Sequence, residues 1–364
     1  MTPAGEPLAS LRAAFPVCAR VAYLNAGTNG PVAAASGDAA RAELAVDVDA
    51  GRAGMPYFER LRDLMESLRA GYAARLGADP ADVALTTSTT DGVGRALLAL
   101  DLRPGDEAIT SDEEHPGLLG PLAALRARGV RVRAVPLADV ADAVGPATRV
   151  VACSHVSWRS GALAPAALAQ VDVPVLLDGA QGVGAVPVDV RALGADFYAG
   201  PGQKWLCGPT GLGMLYVSPA MRARCAPPAP GYLSLDDPNL GLDARPHAEA
   251  RAYDTPALGS AAIAYALAAL EVLGAPGWDA VHERAASLAE RAAGALRERG
   301  RQVLARDRTT LVSWEEPGAP ERSEELARQG VIVRPIPGGD LLRASFGGWS
   351  DERDLERLLA ALPA

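Results

Sequence analysis

The stretch Pro174-Val-Leu-Leu-Asp-Gly-Ala-Gln181 constrains the fold more than any other, because an apolar run of only a few residues closes on an acid and then on a glycine. A run that short suits a strand better than a helix, and in an open α/β sheet the carboxyl ends of parallel strands border the ligand crevice. Asp178 is therefore expected at such an edge. The next apolar run leads through Tyr198-Ala-Gly-Pro-Gly-Gln-Lys-Trp-Leu-Cys-Gly-Pro-Thr-Gly-Leu-Gly-Met-Leu-Tyr216, so Lys204 falls in a glycine-rich turn between two apolar segments. Glycines there let the backbone approach a ligand closely and adopt positive φ.

Lys204 is the only lysine among 364 residues, and 34 of the 35 basic residues are arginine. A guanidinium cannot replace a primary amine in forming an imine. Codon bias that spared one surface lysine would leave the same count, so the neighbourhood has to decide. An acid at one strand end and a lone amine at the end of a later strand are the pair that pyridoxal 5'-phosphate (PLP) requires, lysine for the Schiff base and carboxylate for the pyridinium nitrogen.

Val83-Ala-Leu-Thr-Thr87 reads as a strand, and Ser88-Thr-Thr-Asp-Gly-Val-Gly94 turns into a helix reaching about Leu100. The free amides and positive dipole end of a helix N-terminus make such a turn an anion site. Thr89 and Thr90, with Ser88 beside them, are assigned to the cofactor phosphate; read alone, Ser88 is an ordinary N-cap. Strand-like runs at 21–25, 107–110, 130–135 and 150–153 alternate with helical spacing at about 32–48 and 57–75. Helices over 259–273 and 278–299 precede strand patterns at 309–313, 331–335 and 341–345 and helices near 322–329 and 351–362, an order that suggests a compact α+β unit. The expected organisation is a large PLP-binding domain over 15–258 with a mostly parallel central sheet, and a small C-terminal domain over 259–364 on which segment 1–14 packs.

Length and a hydrophobic content of 49% allow one large unit or two domains sharing a substantial core. No run of eighteen apolar residues occurs, and Met1-Thr-Pro-Ala-Gly-Glu-Pro7 lacks the basic region of a secretory signal, so a cytoplasmic protein is expected. A net charge of −9 without a basic cluster argues against nucleic acid as a partner. Cys18, Cys153, Cys207 and Cys225 show no zinc-ligand spacing, so reduced thiols and no metal site are expected.

Leu177-Asp-Gly-Ala-Gln-Gly-Val-Gly-Ala-Val-Pro-Val-Asp189, followed by the Lys204-Trp-Leu-Cys-Gly-Pro turn, resembles the class V aminotransferase family of fold-type I PLP enzymes, which includes cysteine desulfurases, cystine C-S lyases and isopenicillin N epimerase-like proteins. The likeness runs from about Tyr23 to Leu362. It implies an α/β fold of type I, a homodimer with its sites at the subunit boundary, and an amino acid substrate. It also implies that His115, in Glu114-His-Pro-Gly117, stacks on the cofactor ring, that Gln181 bonds its phenolic oxygen, and that Arg343 clamps the substrate α-carboxylate. Asn25 and Gly27 then border the substrate pocket, and Trp158 lines it where many relatives carry asparagine. By residue pattern alone, His115 is a loop residue before proline, Arg343 an ordinary strand residue, Trp158 simple packing and Gly27 a plain turn.

Two departures matter. Relatives commonly read Ser or Thr, Gly, His, Lys at the turn, whereas this chain has Pro201-Gly-Gln-Lys204; Pro201 cannot donate, which leaves Gln203 for the phosphate, with Thr255 as a contribution from a partner subunit. Persulfide-forming desulfurases need a cysteine on a mobile loop of the small domain, and residues 226–364 contain none. The Glu-His-Pro-Gly and Ser-His-x-x-Trp stretches look most like cystine C-S lyases, so β-elimination from a cysteine-derived substrate is the first expectation. Aminotransfer or epimerisation, which share the α-proton step, is the second. A degenerate PLP-binding protein acting through a partner is a third, resting on Pro201 and Gln203.

Overall fold

The computed structural model describes residues 5–363. In chain order the elements are α1 (Gly5–Ala13), β1 (Ala22–Tyr23), α2 (Ala34–Ala50), α3 (Gly54–Leu76), β2 (Val83–Thr86), α4 (Thr89–Ala99), β3 (Glu107–Ser111), α5 (Pro116–Ala127), β4 (Arg131–Val135), β5 (Thr148–Ser154), β6 (Val175–Asp178), β7 (Phe197–Pro201), β8 (Gly213–Val217) and α6 (Pro219–Arg224). The chain continues through α7 (Ser260–Gly274), α8 (Trp278–Glu298), β9 (Leu311–Glu315), α9 (Ala319–Arg328), β10 (Val331–Ile332), β11 (Arg334–Ile336), β12 (Leu341–Ser345) and α10 (Glu352–Ala361).

Seven strands form the central sheet in the order β2-β8-β7-β6-β5-β3-β4, and only β8 runs antiparallel to its neighbours. Alternation along each strand divides its side chains between two cores. Val151 and Cys153 of β5 face a core closed by Leu68 and Tyr72 of α3, whereas Val150 and Ala152 face one closed by Val93 and Leu97 of α4 and Leu118 of α5. With helices covering both faces, ligands are left the rim where the strands end. That mostly parallel sheet and its two helical layers are the α/β architecture read from the sequence.

The small unit is an antiparallel sheet, β11-β12-β9, beside a parallel pair formed by β1 and β10. The apolar pattern at 331–335 divides into two short strands on different sheets. Its core joins Leu288, Ala292 and Leu296 of α8 to Trp314, Leu342 and Leu358, and also takes in Ala22 and Leu24 from the beginning of the chain. The helix α7, at the start of the expected small domain, packs on α2 and α3, with Ile263 and Ala266 buried in the large-sheet core. Of segment 1–14, residues 1–4 lie outside the described residues; Leu11 packs in the cluster of Trp349, joined by Phe15 just beyond the segment, and Arg12 donates to Asp354 at 2.5 and 3.0 Å at the start of α10. Among the described residues no single helix is long and apolar enough to cross a membrane.

Candidate active site

Five parallel strands deliver the candidate residues to one rim of the sheet. After β2 come Ser88, Thr89 and Thr90, after β3 His115, after β5 Trp158, at the end of β6 Asp178, and after β7 Lys204. Asp178 pairs in register with Ser154 on one side and Ala199 on the other, so the acid lies directly between the strands that lead to Trp158 and to Lys204.

The acid and the amine sense each other. Asp178 is buried and accepts from the Ala180 amide at 2.8 Å; burial raises its pKa, while the Lys204 charge pulls it back. Lys204 is brought down to about 8 chiefly by burial, with Asp178 opposing and the cations Arg343 and Arg334 assisting. An amine so shifted is far closer to its reactive neutral form at neutral pH than an ordinary lysine. Its turn is held by Gly202 N–H to Leu212 O (2.8 Å), Gly208 N–H to Gly202 O (2.8 Å) and Gly30 N–H to Gln203 O (2.8 Å). Glycine is required at position 30, where a Cβ would fall 2.2 Å from the Lys204 carbonyl oxygen.

At the start of α4, Ser88 caps the helix by accepting from the Asp91 amide at 3.1 Å, the ordinary role its pattern offers. Thr89 is buried and its hydroxyl has no partner among the described residues; the same holds for the side-chain oxygen of Gln203. Thr90 is exposed and lies beside Gly117, where a Cβ would meet its hydroxyl at 2.8 Å. The orphaned Thr89 hydroxyl beside the free amides at the start of α4 fits a phosphate, since buried polar groups seek partners, and Gln203 serves such an anion only through its N–H donors.

His115 accepts from the Gly117 amide through Nδ1 at 3.0 Å, which caps α5 and leaves the proton of the neutral ring on Nε2. Burial and then the neighbouring cations Lys204, Arg334 and Arg343 lower its pKa to about 4. Trp158 meets it edge to face, with centroids 5.0 Å apart and planes at 89°. Gln181 bridges two other parts of the site, donating to Gly27 O at 2.8 Å and accepting from Trp205 Nε1 at 3.0 Å. The Asn25 side chain accepts from the Thr28 hydroxyl at 2.7 Å and so shapes the turn.

Arg343 is buried in the middle of β12 and donates to the Trp158 carbonyl at 2.7 Å, while its Nε has no partner among the described residues. The sequence reading missed Arg334. It sits opposite Arg343 in the antiparallel register and donates to the Thr28 hydroxyl at 2.9 Å. Burial and then this second guanidinium lower Arg343 to about 9. Gly27 closes over the pair, since a Cβ there would lie 2.7 Å from the Arg343 guanidinium. Only knowledge of the β11–β12 register would have exposed Arg334.

The model of the aminotransferase class-V family matches residues 48–358. The chain belongs to the class V aminotransferases. Isopenicillin N epimerase of Streptomyces clavuligerus is 28% identical over 389 residues, covering 94% of each protein. A cysteine desulfurase of Klebsiella pneumoniae is 38% identical over 170 residues, or 42% of each. The cystine C-S lyase C-DES, solved with its product cysteine persulfide, superposes with a TM-score of 0.87 at 28% identity, covering 95% of this chain and 98% of its own. A mutant of the same lyase holds glycine covalently linked to its PLP cofactor.

Proposed function

We propose that this class V protein is a PLP-dependent enzyme that cleaves the C–S bond of a cysteine-derived amino acid carrying two carboxylates, as cystine does, by β-elimination. The observation that carries this reading is the pairing of Arg334 with Arg343 across one hairpin, two guanidiniums facing the Lys204 site. One guanidinium suffices for an α-carboxylate, and a second suits another anion at the far end of the substrate. Residues 226–364 hold no cysteine, which removes the thiol that a persulfide-carrying mechanism would place in the small unit.

PLP, when bound, supplies an aldehyde that condenses with amines and a ring that takes up the electron pair left by the α-proton. Thr89, the Gln203 N–H and the first amides of α4 would hold its phosphate, and Asp178 would keep the ring nitrogen protonated. His115, its pKa lowered to about 4, would lie against the ring without adding charge. Lys204 would be the base: its lowered pKa would let it accept the α-proton and pass it to the sulfur that leaves as the C–S bond breaks. Trp158, through its carbonyl, and Gly27 pack against Arg343, and Trp158 also packs on His115.

Epimerisation is the second reading, favoured by a likeness to isopenicillin N epimerase along nearly the whole chain. Incubation with cystine and assay of pyruvate separates the two. Pyruvate release supports the lyase; its absence, with exchange of the α-hydrogen in deuterium oxide, supports the epimerase, and conversion of the cofactor to its pyridoxamine form supports aminotransfer. A homodimer is part of the proposal, supported by the exposed apolar side chains Leu44, Val46 and Val48 of α2 and Met55 and Phe58 of α3.

A further inference from the structure

Two consecutive acids in the turn between β3 and α5 reach different points of the same segment, Glu113 the loop that follows β5 and Glu114 the end of β5 itself. Glu113 accepts from the hydroxyls of Ser157 and Ser160, the latter at 2.6 Å, and so holds the stretch that carries Trp158. Glu114 is buried and accepts from Ser111 Oγ at 2.5 Å, the Ser154 amide at 2.9 Å and Ser154 Oγ at 2.6 Å. Ser154 is the in-register neighbour of Asp178, so the Glu114 carboxylate stands one strand behind the acid assigned to the cofactor ring. Its hydrogen-bond partners are all neutral, although buried carboxylates are usually paired with a cation. Burial moves its pKa up to about 7 against the pull of these three donors, with Asp178 adding to the rise. The groups around it are the Cys153 thiol of β5, pushed well above its usual range by burial and by Glu114 and Asp178, and Asp178 itself on β6. Beyond Asp178 stand the Lys204 amine and the buried Tyr198 phenol, which His155 meets at 3.0 Å.

We propose that Glu114 is a positioning residue that acts through Ser154 and Asp178: its negative charge strengthens the hold of Asp178 on the cationic ring of PLP, and that help is withdrawn when Glu114 takes up a proton. This inference rests on the reading that places Asp178 at the ring nitrogen. A purely structural buried acid would serve equally at every pH. A charge that titrates near neutrality serves only above its pKa.

The test titrates full-length apoprotein with PLP, by quenching of protein fluorescence, at pH 6 and pH 8.5 for the wild type, Glu114→Gln and Glu113→Gln. At pH 6 the Glu114→Gln protein binds PLP as the wild type does, and at pH 8.5 it binds about three- to tenfold more weakly, the effect of a coupling of up to one pKa unit. Glu113→Gln shifts the affinity by the same ratio at both pH values. Ser111→Ala, which removes one donor and keeps the carboxylate, moves the onset of the wild-type affinity gain to higher pH and serves if Glu114→Gln does not fold. Equal weakening of Glu114→Gln at both pH values, or an unmoved onset in Ser111→Ala, overturns the inference while the cofactor reading stands. Failure of the wild type to bind PLP at all overturns both.

Discussion

Two buried arginines, Arg69 and Arg343, differ in a way that separates scaffold from site. Arg69 donates to both oxygens of Asp254, at 3.0 and 2.8 Å, and to the Val83 carbonyl at 2.8 Å, tying α3 to the edge of β2. Burial works against its charge, but Asp254 outweighs burial and the pKa rises. Arg343 is buried just as deeply, yet its neighbour is another guanidinium and its donors meet a carbonyl, so its pKa falls to about 9. A buried charge is tolerated when it is paired. Arg343 and Arg334 lie together with no carboxylate partner among the described residues, next to the one amine, where an anionic substrate would supply the missing charge.

Four experiments bear on that contrast. The largest effect falls on Lys204→Ala, for which a loss of at least about 10²–10⁴-fold in turnover is expected, the usual worth of a positioned acid-base group; near-normal turnover would remove the amine from the chemistry. Arg69→Ala and Arg343→Ala come next and should fail in opposite ways. The first leaves Asp254 buried without its cation and costs about 3–5 kcal/mol, read as a lower melting temperature. The second leaves melting nearly unchanged and lowers kcat/KM for every amino acid by about 10–100-fold, as expected for a lost charge-assisted contact; equal destabilisation of the two would erase the distinction. Arg334→Ala should cost about tenfold on cystine and little on S-methylcysteine, which has a single carboxylate; equal losses on both would make Arg334 a general electrostatic group. The smallest effect is on titration. Lys204 near 8 means that capture of PLP by the apoprotein speeds up as pH rises through 8 and then levels off. Arg343→Ala, by removing a repelling cation, should shift that rise to higher pH, visible in stopped-flow absorbance.

The two faces of the site differed as much in legibility as in charge. Asp178, Lys204 and Thr89 each stand at the end of an apolar run, and a run followed by glycine or hydroxyl residues is a local pattern that a linear reading can find. The seven-stranded sheet emerged from the same runs. Arg334 has no such marker, because its meaning comes from lying across a hairpin from Arg343, and register depends on turn geometry and burial rather than on the composition of either strand. Gln181 was assigned to the cofactor through the family resemblance, yet both ends of its amide are engaged by Gly27 and Trp205, contacts that span 154 and 24 residues. Glu113 and Glu114 carry no local marker of their roles; only the packing of their turn against β5 and the loop after it shows what each holds.

The opening strand carries a mechanical consequence. Ala22 and Tyr23 belong to the small unit through β10, and Asn25 bridges to Ser345, whereas Gly27 and Gly30 are bonded to Gln181 and Gln203 on the large sheet. Between Asn25 and Gly30 there are five peptide links, each with a reach of at most about 3.6 Å. This tether has little slack. If the small unit tilts away, the pull passes through Gly27 to Gln181 and then through Gly30 to the backbone of the residue before Lys204, so travel of Arg343 and seating of Lys204 share a single short leash.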